Sequence, residues 1–355
     1  MGDGRVPCCV SPRMSRIVVL TGGSTPERDV AFAGASQVVE ALRSSGHFVS
    51  VVDTVSGALA GESETQLLAP AVGKLPPTPE ELRSLAERER LSDIVQLPEL
   101  RLADCIFLVL HGLQGEGGEL QALLEEARLT YTGSDSTASA LAMDKDEAKR
   151  RFHAASIPTH EWCLWPAGVE EIERIGFPLI VKPSKVGSSV GLSLVRTPDE
   201  LSAAVDTATI YDSDVLLERF LPGRELTVGV LGDRALAVGE ILPKHELFDY
   251  ECKYTPGMTE EVFPAHIDDD MRDLLQTHAL AAHRTLGLRD FSRVDFKLDA
   301  DGVPQCLEAN TLPGLTTTSL LPQSAAAAGI SFGDLCEKIC AMAVARADVG
   351  NKDYP

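Results

Sequence analysis

The beginning of the chain alternates strand-like and helix-like segments, and this alternation leaves few folds open. The apolar run "RIVVLTGG" (16–23) has the composition of a buried parallel strand that enters a glycine turn. A helical stretch follows, with Pro26 in its first turn and Gly46 at its end. The runs "HFVSVVDTV" and "DCIFLVLHG" predict two further strands. Strand, helix and strand in this order predict a doubly wound, Rossmann-like layer.

The second half of the chain contains short β-rich pieces separated by helices, which is typical of an α+β region. With 355 residues the chain is too long for one compact core, so two or three domains are expected. The stretch 271–287 predicts an amphipathic helix whose apolar face includes Leu274 and Leu275. Residues 56–101 are rich in Pro, Ala and Glu and lack an apolar period. We expect them to form an insertion or a surface subdomain without a chemical role.

Composition excludes several classes of function. The net charge of −21, with no basic run to offset it, argues against binding to nucleic acid or to an anionic membrane. The longest apolar run, "CIFLVL", is too short to span a bilayer. Eight cysteines without C-x-x-C spacing indicate reduced thiols, so a cytoplasmic protein is expected. Residues 1–13 have no apolar signal core and predict a disordered leader, with Met14 as an alternative start.

A stretch rich in lysine, glycine and serine, "VKPSKVGSSVGLS" (181–193), begins at the end of another apolar strand. The backbone N–H groups of a glycine-rich turn and a neighbouring ammonium can together hold a phosphate. The stretch does not have the Walker pattern G-x-x-x-x-G-K-[ST]. Taken alone it leaves two interpretations open, a phosphate cradle and an ordinary turn.

The strongest chemical signal lies on two late strands, "FSRVDFKLD" and "PQCLEAN". They carry Asp295, Glu308 and Asn310, and the last two share one strand face because they are two residues apart. If the strands are neighbours, three oxygen ligands converge, which suits Mg²⁺ with water and phosphate oxygens in its other positions. The alternative is a half-exposed strand with solvated polar residues. The loop "TLPGLTTTS" that follows is rich in hydroxyls and glycine and favours the functional interpretation.

These features belong to a set of motifs in a fixed order. The chain resembles the D-alanine:D-alanine ligases of the ATP-grasp superfamily from Met14 to about Ala347, apart from residues 56–101. The motifs, each weak singly but specific as an ordered set, are "GGSTPERDV", "LHGLQGE", "MDKDEAK", "VKPSKVGSSVG", "LLERFLPGREL", "DYECKY", "SRVDF" and "LEANTLPGLTTTSLLP".

The resemblance implies an ATP-grasp fold of mixed α/β and α+β class. An N-terminal Rossmann-like substrate domain would precede a small central domain and a C-terminal domain, with ATP held between the last two. The implied ranges are 14–133, 134–216 and 217–347, followed by a tail at 348–355.

The resemblance also implies a nucleotide site. Two lysines would contact the phosphates as point charges, the loop 187–191 would fold over them, and the segment 218–221 would form the hinge beside adenine. Glu225 would accept hydrogen bonds from the ribose hydroxyls. The residues implied at the ATP site are Lys145, Lys182, Gly187, Ser189, Glu218, Arg219, Leu221 and Glu225. Asp295, Glu308 and Asn310 would hold Mg²⁺ or Mn²⁺, as two ions.

Other residues are implied at the amino-acid substrates. Glu27 would bind the ammonium of the first D-alanine, although acidic residues are common in the first turn of a helix. His111 lies at a strand end, where Rossmann-like sheets bind ligands, although a lone histidine is usually structural. Arg293 and the backbone N–H of Gly314 would stabilise an oxyanion. Ser319 and Leu320 are implied at the carboxylate of the second substrate, and Lys253 is implied as a further substrate-binding residue. Ser188 and Tyr254 would hydrogen-bond with Glu27 in a closed lid.

The implied reaction joins two D-alanines through an acyl phosphate, with release of ADP and phosphate, for peptidoglycan precursor synthesis. We expect a homodimer whose ligands are small molecules. Tyr254 in the lid, where depsipeptide-forming relatives carry a histidine, favours D-alanine over D-lactate. The alternatives are an ATP-grasp ligase with another second substrate, such as D-serine, D-lactate or another amino acid, and a non-catalytic nucleotide-binding module.

The chain departs from the family pattern at two places. "GEGG" (115–118) stands where Gly-Glu-Asp-Gly is more common, which leaves the role of that loop open. Lys297 stands where an apolar residue often lies near the adenine, so it would alter the nucleotide contacts.

Overall fold

Three sheets and their helices form the part of the chain that the computed structural model describes. The described residues are 14–68, 78–187, 189–248, 250–255 and 257–350. Ser188 and the side chain of Tyr254 lie outside that description, as does the expected leader. In the described residues, no helix combines the length and the apolar character needed to cross a membrane.

The N-terminal sheet has the strand order β3-β2-β1-β4. Its strands are β1 (Arg16–Thr21), β2 (Phe48–Asp53), β3 (Gly57–Leu59) and β4 (Cys105–Val109). β1 pairs in parallel with β2 and β4, and every residue of β4 is buried, which explains its uninterrupted apolar run. The helices of this region are α1 (Arg28–Ser44), α2 (Glu62–Leu67), α3 (Pro79–Ala86), α4 (Leu91–Ile94), α5 (Pro98–Arg101), α6 (Gly112–Glu116), α7 (Glu119–Glu126) and α8 (Ser136–Met143). The doubly wound layer predicted from the sequence is therefore present.

The middle sheet is antiparallel and has the order β5-β8-β6-β7. Its strands are β5 (Trp162–Trp165), β6 (Leu179–Pro183), β7 (Ser193–Val195) and β8 (Val215–Arg219). The helices near it are α9 (Lys145–Ala154), α10 (Val169–Ile175) and α11 (Leu201–Thr209). The loop between β6 and β7 contains the glycine-rich stretch, so that stretch begins at a strand end, as the sequence indicated.

The C-terminal sheet is also antiparallel, with the order β11-β10-β9-β12-β13. Its strands are β9 (Glu225–Leu231), β10 (Arg234–Pro243), β11 (Thr259–Val262), β12 (Phe291–Leu298) and β13 (Pro304–Asn310). The helices here are α12 (Tyr250–Tyr254), α13 (Asp269–Thr285), α14 (Leu320–Ala327) and α15 (Phe332–Gly350). The amphipathic helix predicted at 271–287 corresponds to α13, where Leu275 is fully buried but Leu274 is 40% exposed, so Leu274 was wrongly placed on the apolar face.

The first and last parts of the chain share one apolar core. Leu335 and Ile339 of α15 are fully buried in the same cluster as Phe107 of β4. α15 packs on α1 and β4, so the last helix covers the N-terminal sheet. The C-terminal sheet is thereby fixed against the layer that carries Glu27 and His111.

The segment 56–101 differs from expectation. Instead of a separate surface insertion, its described residues add β3 to the first sheet and bury Ile94, Val95 and Leu100 in the main core. The helices of this segment are short, so each of them buries only a few apolar residues. Short helices cannot show a repeating apolar pattern, and the sequence therefore has no visible apolar period here.

Candidate active site

Two adjacent antiparallel strands bring the predicted metal ligands together. In the pairing of β12 with β13, Asp295 lies opposite Glu308 and Arg293 lies opposite Asn310. Residues two apart on a strand share a face, and directly opposite residues share it too. The expectation that these two strands are neighbours is confirmed.

The carboxylate of Asp295 receives four hydrogen bonds. Arg293 donates twice, from Nε to Oδ1 at 2.9 Å and from Nη2 to Oδ2 at 2.8 Å. Thr227 Oγ1 donates to Oδ1 at 2.7 Å, and Asn310 Nδ2 donates to Oδ2 at 3.0 Å. Burial disfavours the charge on Arg293, but the ion pair with Asp295 outweighs burial and raises its pKa. A carboxylate has about four lone-pair sites, so all of them are used here.

Glu308 faces lysines. Lys145 Nζ lies 3.6 Å from Glu308 Oε2. Burial would raise the pKa of Glu308, but the charges of Lys145 and Lys182 outweigh burial and lower that pKa to about 2. Glu308 is therefore a carboxylate at neutral pH.

The donor set of Asp295, Glu308 and Asn310 suits a hard divalent cation. It offers two carboxylates and one amide oxygen, and oxygen ligands are what Mg²⁺ requires. In the described residues, no three side chains drawn from His, Cys, Asp and Glu are grouped as a metal site, and the third donor of the present set is the amide of Asn310.

Glu218 lies at the centre of a buried basic cluster that the sequence analysis missed. Lys182 Nζ donates to its Oε1 at 2.6 Å, while Lys149 Nζ and His160 Nε2 lie 3.3 Å and 3.1 Å from its Oε2. Burial opposes ionisation of Glu218, yet Lys182 and Lys149 hold its pKa well below the usual range. Burial lowers the pKa of His160 to about 4, so its ring is neutral at pH 7. Lys149 follows Lys145 by one helical turn, and that spacing was the available signal.

The residues assigned to the nucleotide line one cavity between the middle and C-terminal sheets. Its walls include Lys145, Lys182, Gly187, Ser189, Glu218, Arg219, Leu221 and Glu225. Every residue that the sequence placed at ATP is thus in one place, although their separation in the chain reaches 80 residues between Lys145 and Glu225.

Lys297 lines the same cavity. Its Nζ lies 3.7 Å from Glu225 Oε2 and 5.6 Å from the ring centroid of Phe220. Burial raises the pKa of Glu225, and the positive charge of Lys297 opposes that rise. The departure from the family pattern therefore adds a cation beside the carboxylate assigned to the ribose.

A second cavity adjoins the first. Its walls include the predicted residues Glu27, His111, Lys253, Arg293, Glu308, Asn310, Gly314, Ser319 and Leu320, together with Glu116 and Glu261, which the sequence analysis did not assign. Gly187, Phe248, Lys253, Arg293 and Glu308 line both cavities.

The segment after β10 covers the junction of the two cavities. Ser189 Oγ donates to the carbonyl oxygen of Phe248 at 2.9 Å, and Lys253 Nζ lies 5.3 Å from the ring centroid of Phe248. The predicted contacts of Ser188 and Tyr254 with Glu27 involve groups outside the described residues, so they stay predictions.

Glu116 gives the "GEGG" loop a structural role. Its Oε1 accepts from the backbone N–H groups of Thr311 and Leu312 at 3.1 Å and 2.9 Å, and its Oε2 accepts from that of Gly112 at 3.3 Å. His111 Nδ1 lies 3.0 Å from the carbonyl oxygen of Leu312. Glu116 and His111 thus tie the end of β4 to the loop after β13, and an acidic residue five positions after His111 was the missed signal.

The loop before Glu27 is shaped by a buried ion pair. Arg28 donates to both carboxylate oxygens of Asp53, at 3.0 Å and 2.7 Å. Gly22 has φ of 98°, and a Cβ there would lie 2.0 Å from Asp53 Oδ1, so only glycine fits. Glu89, in the segment to which no chemical role was assigned, accepts from Ser24 Oγ at 3.0 Å. That segment therefore supports the loop that carries Glu27.

Comparison with known proteins agrees with this arrangement. The family model described as D-ala D-ala ligase N-terminus matches residues 16–134, and the model described as D-ala D-ala ligase C-terminus matches residues 156–341. Together they include all of the named wall residues of both cavities except Lys145, which lies between the two matched ranges.

Individual relatives match along nearly the whole chain. A D-alanine–D-alanine ligase of Desulfotalea psychrophila is 39% identical over 91% of this chain and 93% of its own length. A D-alanine–D-alanine ligase of Geobacter sulfurreducens is 39% identical over 92% of this chain and 93% of its own length. The crystal structure of the D-alanine–D-alanine ligase of Bacillus anthracis complexed with ATP has a TM-score of 0.76 and 25% identity, covering 95% of this chain and 99% of that one. The expected fold is confirmed, and the chain belongs to the D-alanine–D-alanine ligase family.

Proposed function

We propose that this protein joins two D-alanine molecules into D-alanyl-D-alanine and converts ATP to ADP and phosphate. Membership of a family whose relatives are named for this ligation supports the proposal. The observation that carries it is the junction of the nucleotide and substrate cavities at Lys253, Arg293 and Glu308. Phosphoryl transfer requires the donor and acceptor to be held in contact, and the junction is the place where they would meet.

The first half of the reaction activates a carboxylate, which is a poor electrophile. The γ-phosphoryl group of ATP passes to the carboxylate of the first D-alanine and forms an acyl phosphate. Lys145 and Lys182 would hold the phosphates as point charges. Glu27, which lines the substrate cavity, would bind the ammonium of this D-alanine.

Asp295, Glu308 and Asn310 would hold Mg²⁺ or Mn²⁺, and two ions are proposed. Bound ions of this kind neutralise the charge that develops on the transferring phosphoryl group. The chain contributes one ligand that is ionised at neutral pH, because the charges of Lys145 and Lys182 outweigh burial and lower the pKa of Glu308 to about 2.

In the second half, the amine of the second D-alanine attacks the acyl carbon and phosphate leaves. Arg293 and the backbone N–H of Gly314 would stabilise the oxyanion, and one such donor typically lowers the barrier by roughly 2.7–4 kcal/mol. Ser319 and Leu320 would bind the second carboxylate beside Lys253. Ser319 is held in place because its Oγ accepts from the backbone N–H of Thr316 at 3.1 Å.

Several finer statements belong to the same proposal. The proposed domains are residues 14–133, 134–216 and 217–347. Ser188, Tyr254 and Glu27 are proposed to hydrogen-bond with one another when the lid closes. A homodimer is proposed. The cytoplasm is the proposed location, because the six cysteines of the described residues form no disulfide with one another and because the dipeptide would serve peptidoglycan precursor synthesis.

The test is a phosphate-release assay with Mg·ATP and a panel of D-alanine, D-serine and D-lactate, in which products are identified by mass. We expect phosphate release that depends on D-alanine and a product with the mass of D-alanyl-D-alanine, also in the three-way mixture. Phosphate release without D-alanine, or a mixture dominated by D-alanyl-D-lactate or D-alanyl-D-serine, would refute the proposed specificity.

A further inference from the structure

Glu261 is a carboxylate of the substrate cavity with no role in the reaction described above. It lies on β11, opposite Ile241 of β10, and its side chain lines the cavity together with Thr318 and Ser319. The neighbouring Glu260 is on the opposite face of the strand and is exposed. Of the two consecutive acidic side chains on β11, that of Glu261 therefore faces the substrate cavity and that of Glu260 faces away from it.

A neighbouring amide fixes the position of Glu261. Gln323 Nε2, on α14, donates to Glu261 Oε2 and also to the carbonyl oxygen of Thr318 at 2.7 Å. The same amide group therefore links the carboxylate to the loop that ends at Ser319. That loop is the proposed site for the carboxylate of the second D-alanine, so Glu261 lies beside the second substrate rather than the first.

The other carboxylates of the cavity have distinct surroundings. Glu308 faces Lys145, and Glu116 accepts from three backbone N–H groups. Glu27, in the N-terminal layer, is the proposed partner of the first ammonium. Two amino acids enter the cavity and bring two ammonium groups, and Glu261 is the carboxylate beside the loop proposed for the second of them.

We infer that Glu261 binds the ammonium of the second D-alanine before this group loses the proton that it must lose to attack as an amine, and that Glu261 thereby selects an amino acid over a hydroxy acid at that position. The inference rests on the proposed function. Glu261 is partly buried, and burial strengthens an ion pair with an incoming ammonium relative to the same pair in water. A hydroxy acid such as D-lactate has no ammonium and cannot form this ion pair with Glu261, which lowers its affinity relative to D-alanine.

The test compares Glu261→Gln with the matched control Glu260→Gln, which removes the same charge from the exposed face. Initial rates of the full-length protein are measured over a wide range of D-alanine and analysed for the first and second sites, with ATP varied separately. Loss of a hydrogen bond to a charged group predicts that the second-site KM of Glu261→Gln rises about tenfold to a hundredfold. The first-site KM and the KM for ATP stay within twofold of wild type, and Glu260→Gln matches wild type throughout.

Glu261→Asp separates charge from packing because it keeps the carboxylate and shortens the side chain. We expect its second-site KM to lie between those of wild type and Glu261→Gln, and the ratio of D-lactate to D-alanine incorporation to rise only in Glu261→Gln. An unchanged second-site KM in Glu261→Gln overturns the inference, and so do equal defects in the Asp and Gln variants. A wild-type protein that makes no D-alanyl-D-alanine would instead refute the proposed function.

Discussion

Arg293 and Asp295 form a bidentate ion pair on β12, with N–O distances of 2.9 Å and 2.8 Å. Both residues are assigned to the reaction, but to different partners, an oxyanion and a cation. Because Thr227 and Asn310 use the remaining lone-pair sites of Asp295, a metal ion bound by Asp295 must displace one of the present donors. Metal binding to Asp295 would therefore release Arg293 from the ion pair and leave its guanidinium available to other partners. The side chain of Arg293 lines both cavities.

The first prediction follows from that competition. Arg293→Gln removes a cation that competes with the metal for Asp295, so Mn²⁺ should bind more tightly than in wild type. Turnover should nevertheless fall about a hundredfold to a thousandfold, because one oxyanion donor is lost. Calorimetry of Mn²⁺ binding and steady-state rates measure the two effects. Weaker Mn²⁺ binding would show that Arg293 supports the metal site instead of competing with the metal.

The stability of the same variant provides a second readout. Removing one partner of a buried ion pair leaves an uncompensated charge, which costs about 3–5 kcal/mol of unfolding free energy. Mn²⁺ should restore part of that loss in Arg293→Gln by binding the orphaned carboxylate. Urea unfolding with and without Mn²⁺ tests this, and an equal metal effect in wild type and variant would contradict it.

The second prediction concerns Glu308. Glu308→Gln keeps the size of the side chain but removes a charge that Lys145 and Lys182 stabilise. Metal binding should weaken and activity should fall by orders of magnitude at limiting Mg²⁺, because the phosphoryl-transfer state loses charge compensation. The control is Glu173→Gln on the exposed side of α10. Identical Mg²⁺ dependence in the Glu308 variant, the control and wild type would remove Glu308 from the metal site.

The sequence was sufficient to predict the role of residues that lie in short motifs with a recognisable chemistry. Asp295, Glu308 and Asn310 could be placed together because they lie at the ends of two strands that are consecutive in the chain. The residue types of the glycine-rich stretch left a phosphate cradle and an ordinary turn open, and the family resemblance assigned that stretch, Lys145 and Lys182 to phosphate. All the described ATP-site residues do line one cavity.

The missed residues depend on contacts between distant segments. Glu218 looked like a hinge residue because its partners Lys149 and His160 are about 60 to 70 positions away and give no local pattern. Gln323 and Glu261 are 62 positions apart, and only the pairing of β10 with β11 directs Glu261 inward. The bidentate pair of Arg293 and Asp295 was also missed. The sequence pattern predicts which residues share a strand face, but it does not predict which hydrogen bonds their side chains form.

The third prediction concerns stability at mildly acidic pH. His160 and His283 are buried and have pKa values of about 4, primarily because of burial. In the unfolded chain both take up protons near pH 6.5, so the unfolded state binds more protons between about pH 6.5 and 4. The stabilisation from both histidines is fully present above pH 6.5 and is lost as the pH falls toward 4, by up to a few kcal/mol for each.

His283 can be tested separately because it lies outside both cavities and contacts Ser292 Oγ at 2.7 Å. His283→Gln should lower stability at pH 8 and give a shallower loss between pH 6.5 and 4. Urea unfolding over pH 4–8 measures how the free energy of unfolding depends on pH in wild type and in His283→Gln. Parallel profiles for wild type and variant would show that His283 does not contribute to the acid sensitivity.

The last prediction concerns Lys297 and the nucleotide. Lys297 Nζ lies 3.7 Å from Glu225 Oε2, and both side chains are largely buried, with exposures of 14% and 13%. Burial raises the pKa of Glu225, and Lys297 counteracts this rise. Lys297→Met removes the counteracting charge, so the pKa of Glu225 rises further and its carboxyl group becomes a weaker acceptor for the two ribose hydroxyls. The KM for ATP should therefore rise about tenfold near pH 7, the effect of one charge-assisted hydrogen bond. Because the pKa of Glu225 is higher without Lys297, the KM for ATP between pH 7 and 9 should depend on pH more strongly in Lys297→Met than in wild type and in the exposed control Lys338→Met. A KM for ATP that is equal in all three proteins across this range would mean that Lys297 does not act on the nucleotide through Glu225.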